Sequence, residues 1–378
     1  METFMPSSFR KGDNWTKKQL PVIFWGNRLF FYEVIMFRKV RVEEAIGRAL
    51  AHDINEVDLE KNIKSVAFKK NHIIKPEDIE KLKLLGKENV FILDGEELEE
   101  NIHEDDAALL LAPHIAGDNI YFDKIPSEGK INFYSKIDGL LKIEKDIVSK
   151  INRLKIPSLP TKHNNIPVKK DEIVAAFRII PLYCEKSIID NALSILFKGA
   201  ISVKPYIIKK AGIIVTGNEV YYGRKEDAFT EKLINKLKQF NVEVIKNTIL
   251  PDELNTISNT IAEYVKEIDI LFITGGTSVD PDDCTKKAMK VAGVGIVQEG
   301  NPIQPGNNFS IGYIDNKPVC AVPAAALFYK ATALDIFLPR LLSGEFVTEE
   351  EIAEYSIGGL CHFCKVCVYP VCPFGKGV

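Results

Sequence analysis

An excess of charge of either sign is missing from this chain of 378 residues: 49 Lys and Arg stand against 52 Asp and Glu, a formal net charge of −3. No basic surplus points to nucleic acid or to an anionic membrane as a partner. Cysteine is scarce before the tail, where only Cys184, Cys284 and Cys320 occur, each in or beside an apolar run that reads as a buried, inert thiol. That excludes a secreted disulfide framework. Long apolar runs are lacking as well. Residues 20–37 come nearest, but Asn27, Arg28 and Glu33 interrupt them and no small-residue cleavage site follows, so they read neither as a membrane span nor as a signal. The histidines His52, His72, His103, His114 and His163 are scattered without metal-ligand spacing and read as structural or surface residues. With 46% hydrophobic and 27% charged residues, what remains is a globular protein, expected in the cytoplasm.

The length asks for two or three domains. Residues 1–35 show no period and are expected to be an extension, native or added by a misplaced start. Residues 36–105 form a small α+β unit. Within it, Val42, Ala45, Ile46 and Leu50 recur at helical spacing over 40–53, a second helix opens at Pro76 and stops at Gly86, and a short strand follows over 90–93. Residues 106–208 start helically and then break into short apolar runs at 129–133, 139–143, 173–177 and 178–182, the texture of a β-rich scaffold domain. From 209 to 345 strand and helix patterns alternate: strands at 211–216, 242–250, 269–274 and 319–322, and helices at 229–240, 254–265, 284–292 and 324–342. Such alternation implies an α/β fold around a mostly parallel sheet covered on both faces, with ligands at the carboxyl ends of its strands. The run Glu349-Glu350-Glu351 reads as a solvated helix start.

Two loops fall at those strand ends. The first is Thr216-Gly217-Asn218-Glu219, followed by Asp227. The second is Thr274-Gly275-Gly276-Thr277-Ser278-Val279-Asp280-Pro281-Asp282-Asp283, running straight into a helix. Glycines let backbone N–H groups approach an anion, the following helix end favours negative charge, and Ser and Thr hydroxyls add donors. Asp282 and Asp283 would repel a bare phosphate. They make sense holding Mg²⁺ or accepting paired N–H bonds from a heterocycle, although one of them can also simply cap the helix near Cys284. The Gly-Lys-Ser/Thr ending of the common NTPase phosphate loop is absent. A third loop, Gly300-Asn301-Pro302-Ile303-Gln304-Pro305-Gly306, is a rigid turn able to wall a pocket.

The tail, 346–378, collects Cys361, Cys364, Cys367 and Cys372, with His362 beside the first and Pro373 after the last. Four soft ligands that close together suit a tetrahedral Zn²⁺. The spacing also lies near the bacterial ferredoxin run, which leaves a [4Fe–4S] cluster as the alternative, and free thiols as the third.

In order and spacing, the three loops resemble the molybdopterin-binding domain shared by molybdopterin adenylyltransferases, molybdopterin molybdenumtransferases and gephyrin. Residues 36–378 as a whole resemble bacterial molybdopterin-binding proteins that end in a cysteine motif. The resemblance implies a three-layer domain that binds the pterin dithiolene. It also implies one of two reactions: insertion of molybdate with Mg²⁺ and release of AMP, or adenylation by ATP. Carried over by position, Thr216, Gly217, Asn218, Glu219, Thr274, Gly275, Gly276, Thr277, Ser278, Pro305 and Gly306 would contact the ligand. Asp282, Asp283 and Asp227 would serve catalysis, the first two as metal ligands. The family also favours a homo-oligomer. Three departures bear on catalysis. Asn218 stands where Asp is usual, Asp227-Ala228-Phe229 replaces Asp-Ser-Asn, and Pro323-Ala324-Ala325-Ala326 replaces a Pro-Gly-Asn-Pro turn. The sequence therefore leads to a molybdenumtransferase-like protein, with an adenylyltransferase or a non-catalytic cofactor carrier serving a molybdoenzyme as the other readings.

Overall fold

The computed structural model describes residues 38–58, 63–92, 101–127, 129–276 and 284–376. Its first hydrophobic cluster gathers residues between Val40 and Ile92. Strand Arg38–Arg41 pairs antiparallel with Asn89–Ile92, and Ile54–Asp58 pairs with Ile63–Phe68. The helix expected after Pro76 is present as Asp78–Leu84 and stops at Gly86, whose φ is +73°. The helix expected over 40–53 is not. Val40 lies in a strand opposite Val90, Val42–Ala45 is one 3₁₀ turn, and Gly47 at φ +80° turns the chain so that Leu50 bridges to Ile92. Tertiary pairing overrides a weak helical period here.

The second cluster runs from Ala107 to Val203. Its strands form a four-stranded sheet that includes Lys130–Ser135 and Ile173–Ile179, and a three-stranded one centred on Gly139–Ile143. Residues 173–182, read as two runs, hold a single strand that ends at Ile179. Beside the sheets lie Glu104–Ile115 and two helices with no counterpart in the sequence reading, Lys145–Arg153 and Lys186–Ile195.

The third unit carries β1 (Lys210–Thr216), α1 (Thr230–Lys238), β2 (Glu243–Leu250), α2 (Leu254–Tyr264), β3 (Ile270–Thr274), α3 (Thr285–Val291), β4 (Gly295–Gln298), β5 (Ser310–Ile314), β6 (Lys317–Val322) and α4 (Ala333–Leu342). The sheet order is β2-β1-β3-β6-β5-β4. The first four strands are parallel, and β5 and β4 add antiparallel edges. Alternation explains how β3, and β1 after Lys210, are buried on both faces. Ile213, Val215 and Phe272 pack against Leu233 and Leu237 of α1 and Phe337 of α4. Ile214, Leu271 and Ile273 pack on the other face against Ile257 and Ile261 of α2 and Met289 of α3. Each such side chain contributes roughly 1.5–3 kcal/mol by leaving water.

The long helix expected over 324–342 is split into the single turn Ala325–Phe328 and α4. The cause is local. Thr332 starts a new helix with a reciprocal capping box to Asp335. The acidic run after Thr348 does begin a helix, Glu349–Glu354, also with a capping box, but Glu351 is drawn to Arg340 at 2.6 Å. Arg340 in turn grips Glu345 at 2.8 Å, and the same carboxylate meets Lys142 at 2.8 Å and Lys204 at 2.9 Å, so charges from two hydrophobic clusters join at one acid. No helix among the described residues is long and apolar enough to cross a membrane.

Candidate functional site

Parallel strands end side by side, so β1, β3 and β6 deliver their following loops to one place. There the protein has a cleft of about 790 Å³. Thr216 and Glu219 come from the loop after β1, Gly275 and Gly276 from the turn after β3, Gln304 to Asn308 from the loop between β4 and β5, and Pro323 to Ala325 from the end of β6. Gly275 is dictated by this crowding. It sits at φ +85°, and a Cβ there would lie 2.0 Å from the Thr216 carbonyl oxygen, so any side chain would push the β1 and β3 loops apart.

Fully buried Thr285 at the start of α3 fixes that turn from behind. Its hydroxyl donates to the Gly275 carbonyl at 2.8 Å and lies 3.4 Å from the Thr216 hydroxyl. Thr274, one residue earlier, is also fully buried, and its hydroxyl finds no partner among the described residues. Buried hydroxyls normally have one.

Of the residues singled out from sequence, Thr216, Glu219, Gly275, Gly276, Pro305 and Gly306 line the cleft. Gly217 and Asn218 are not among the residues that line it. The Gly217 N–H donates to the Leu250 carbonyl, and Asn218 exchanges two hydrogen bonds with Asp252: its N–H donates to Oδ2 at 2.9 Å, and its Oδ1 accepts from the Asp252 N–H at 3.3 Å. Asp227 caps α1, its Oδ1 accepting from the Phe229 and Thr230 N–H groups at 2.7 and 3.2 Å. Thr277, Ser278, Asp282 and Asp283 lie outside the described residues, in the segment that joins Gly276 to α3.

Sequence reading missed several contributors. Lys225 and Glu226 line the cleft with Glu219 and, among the described residues, are its charged groups. Asn307 and Asn308 add amides, while Tyr329 and the tail's Phe363 supply aromatic walls, their rings packed edge to face at 6.0 Å. Asp252 belongs to the same strand-end layer as Asn218, and its buried Oδ1 finds no partner among the described residues. A rule that inspects every strand end, glycine or not, would have found Asp252. Nothing local marks Phe363. The site thus combines exposed backbone at a glycine turn, hydroxyls, amides, one cation and two carboxylates. That set can hold a polar, phosphorylated heterocycle.

Comparison with known proteins places residues 212–343 in the family described as "Probable molybdopterin binding domain", so the resemblance read from the loops holds over that stretch. Residues 39–94 match a second model, a domain of unknown function. A protein of Methanocaldococcus jannaschii named for molybdopterin biosynthesis is 27% identical over 240 residues, covering 58% of this chain and 55% of its own length. A CinA-like protein of Fervidobacterium nodosum is 28% identical over 129 residues, covering 34% of this chain and 32% of its own. The chain thus spans between about a third and about half of these relatives. Among solved structures, the molybdopterin biosynthesis enzyme MoaB of Thermus thermophilus is 17% identical, with 36% of this chain and 98% of that one covered, at a TM-score of 0.30.

Proposed function

We propose that this protein acts in molybdenum cofactor biosynthesis, holding molybdopterin or its adenylate in the cleft and inserting molybdate. The observation that carries this reading is the meeting of three ligand-type loops in one cleft, within the stretch that matches a molybdopterin-binding domain. The N–H groups of the Gly275–Gly276 turn and the Thr216 hydroxyl are suited to the terminal phosphate, with Lys225 offering positive charge. The amides of Gln304, Asn307 and Asn308 match a pterin edge, and Tyr329 offers a ring face to it.

Hard oxygen donors, the carboxylates of Glu219 and Glu226, line the wall, which is the donor chemistry Mg²⁺ takes. In this reading Asp282 and Asp283 would hold the ion, which would supply positive charge against the phosphate and molybdate oxygens. The protein's own work is positioning two anions together and shielding them from water. Asp227 serves that work through α1, whose first turn it caps, more directly than by contact with a substrate.

One feature favours a second reading, a carrier that delivers the cofactor to a molybdoenzyme: Ala324 and Ala325 present methyl groups where polar contacts to a reacting group would be useful. Mixing the pure protein with molybdate, Mg²⁺ and adenylated molybdopterin decides. Release of AMP is the expected result. Consumption of ATP with molybdopterin alone would make the protein an adenylyltransferase, and tight binding without turnover would make it a carrier.

A further inference from the structure

The four thiols of the cysteine tail have no part in the function proposed above. Its loop is closed on itself, the Gly375 N–H donating to the Gly358 carbonyl at 2.9 Å. Between those points the usual burial pattern is inverted. Leu360, Val366 and Val371 are 64%, 75% and 83% exposed, whereas Cys361, Cys367 and Cys372 are partly buried and packed on the core below. Phe374 is the buried side chain of this loop. A loop that turns its aliphatic side chains outward and three of its four thiols inward is held by apolar burial only through Tyr369 and Phe374. Small segments of this kind are ordered by a metal.

The four thiols are free and line one cavity of about 470 Å³, with Lys330 on its wall. Among the described residues no three His, Cys, Asp or Glu side chains already stand in metal-holding geometry, and Cys364 is the exposed member of the four. Loading therefore has to draw the loop inward. That movement has a place to go. The Gln304 N–H donates to the Gly359 carbonyl, and the Cys361 N–H donates to the Gln304 carbonyl, both at 2.8 Å. Phe363, between the first two cysteines, lines both the thiol cavity and the cleft.

We propose that Cys361, Cys364, Cys367 and Cys372 form a zinc site whose loading clamps the Gln304 wall of the cleft. Binding converts four thiols to thiolates, their protons leaving to solvent, and gives a centre of net charge −2 beside the Lys330 ammonium. No oxidation is involved. The site stands apart from the molybdopterin reading, because its test uses no pterin.

The test takes the full chain purified without oxygen. It combines metal analysis and a visible spectrum with native thiol titration, and with hydrogen exchange at the Gln304 and Cys361 amides before and after a chelator. The expected result is one zinc per chain without colour, with tail thiols that react only after chelation. Exchange at the two amides should then rise by roughly fivefold or more. Cys364→Ser, which removes the exposed thiol and disturbs little packing, should cut zinc occupancy with circular dichroism unchanged. Should that variant fold poorly, Cys364→Ala serves the same purpose. Iron with visible absorption would overturn the zinc assignment, and metal-free protein with four freely titrating tail thiols would overturn the site. Full zinc occupancy in the Cys364 variants would place the metal elsewhere, and zinc without a change in amide exchange would overturn the clamp.

Discussion

Removing the charge of Glu345 should loosen the junction between the scaffold strands and the ligand-binding sheet. Its side chain is 6% exposed and collects Arg340, itself 2% exposed, together with Lys142 and Lys204. Burial alone would push this carboxyl up. Hydrogen bonds from Lys142, Lys204 and Arg340 win and hold it at about 2, against an ordinary 4.5. At ~1.36 kcal/mol per pH unit that difference is worth roughly 3 kcal/mol. Lys142 itself goes the other way: burial, joined by the nearby Arg340 and Lys204 charges, outweighs Glu345 and lowers its pKa. The gain therefore sits on the acid that gathers three donors, and half-exposed Lys204 adds little of it. Glu345→Gln keeps the shape, leaves buried Lys142 without its anion and leaves Arg340 with Glu351 alone, a loss of about 3 kcal/mol, the low end for a broken buried pair. Because the folded pKa is depressed, this stabilisation is complete above about 4.5 and disappears as pH falls through about 2. Thermal melts from pH 7 downward check it. At pH 7 the variant should melt lower by roughly 6–12 °C, taking 2–4 °C per kcal/mol for a chain of this size class. Between pH 4.5 and 2 the wild type should approach the variant. Identical melting at pH 7, or parallel curves throughout the acid range, would refute the reasoning.

Gly275→Ala should deform the strand-end turn, destabilise the fold by roughly 1–3 kcal/mol through backbone strain and weaken molybdopterin binding, as melting and calorimetry would report. Thr285→Val leaves the Gly275 carbonyl without its hydroxyl donor and should cost about 1–3 kcal/mol; a change within error would show that the bond does not matter. Asp282→Asn with Asp283→Asn should abolish cofactor chemistry while the melting temperature stays put, and unchanged affinity and turnover would remove both residues from the site. Burial pushes the Cys184 thiol up to about 11 and the Cys320 thiol further still, so neither should react with an alkylating reagent at pH 8 in the folded protein; prompt labelling of either would contradict their burial.

How much could be read beforehand follows from where the determining forces act. Strands β1 and β3 were legible because burial on both faces leaves continuous apolar runs, Gly-Ile-Ile-Val and Leu-Phe-Ile. The edge strand β4 was not, because it is half-exposed and carries no such run, and β5 beside it is broken by Gly312. The break before α4 was legible in principle, since Thr332 and Asp335 stand at capping-box spacing, but the apolar stripe running through it was read instead. The cleft divides along the same line. Gly275 announces itself because its left-handed backbone, φ +85°, favours glycine, a local demand that a local pattern can carry. Tyr329, Phe363, Lys225 and Asn308 reach the cleft through the path of the chain between strands, so the demand on them is set by packing and has no short-range signature. The tail shows the two cases in one segment. Its cysteine spacing raises the question of a metal, and only its docking against Gln304 says which wall of the cleft such a metal would govern.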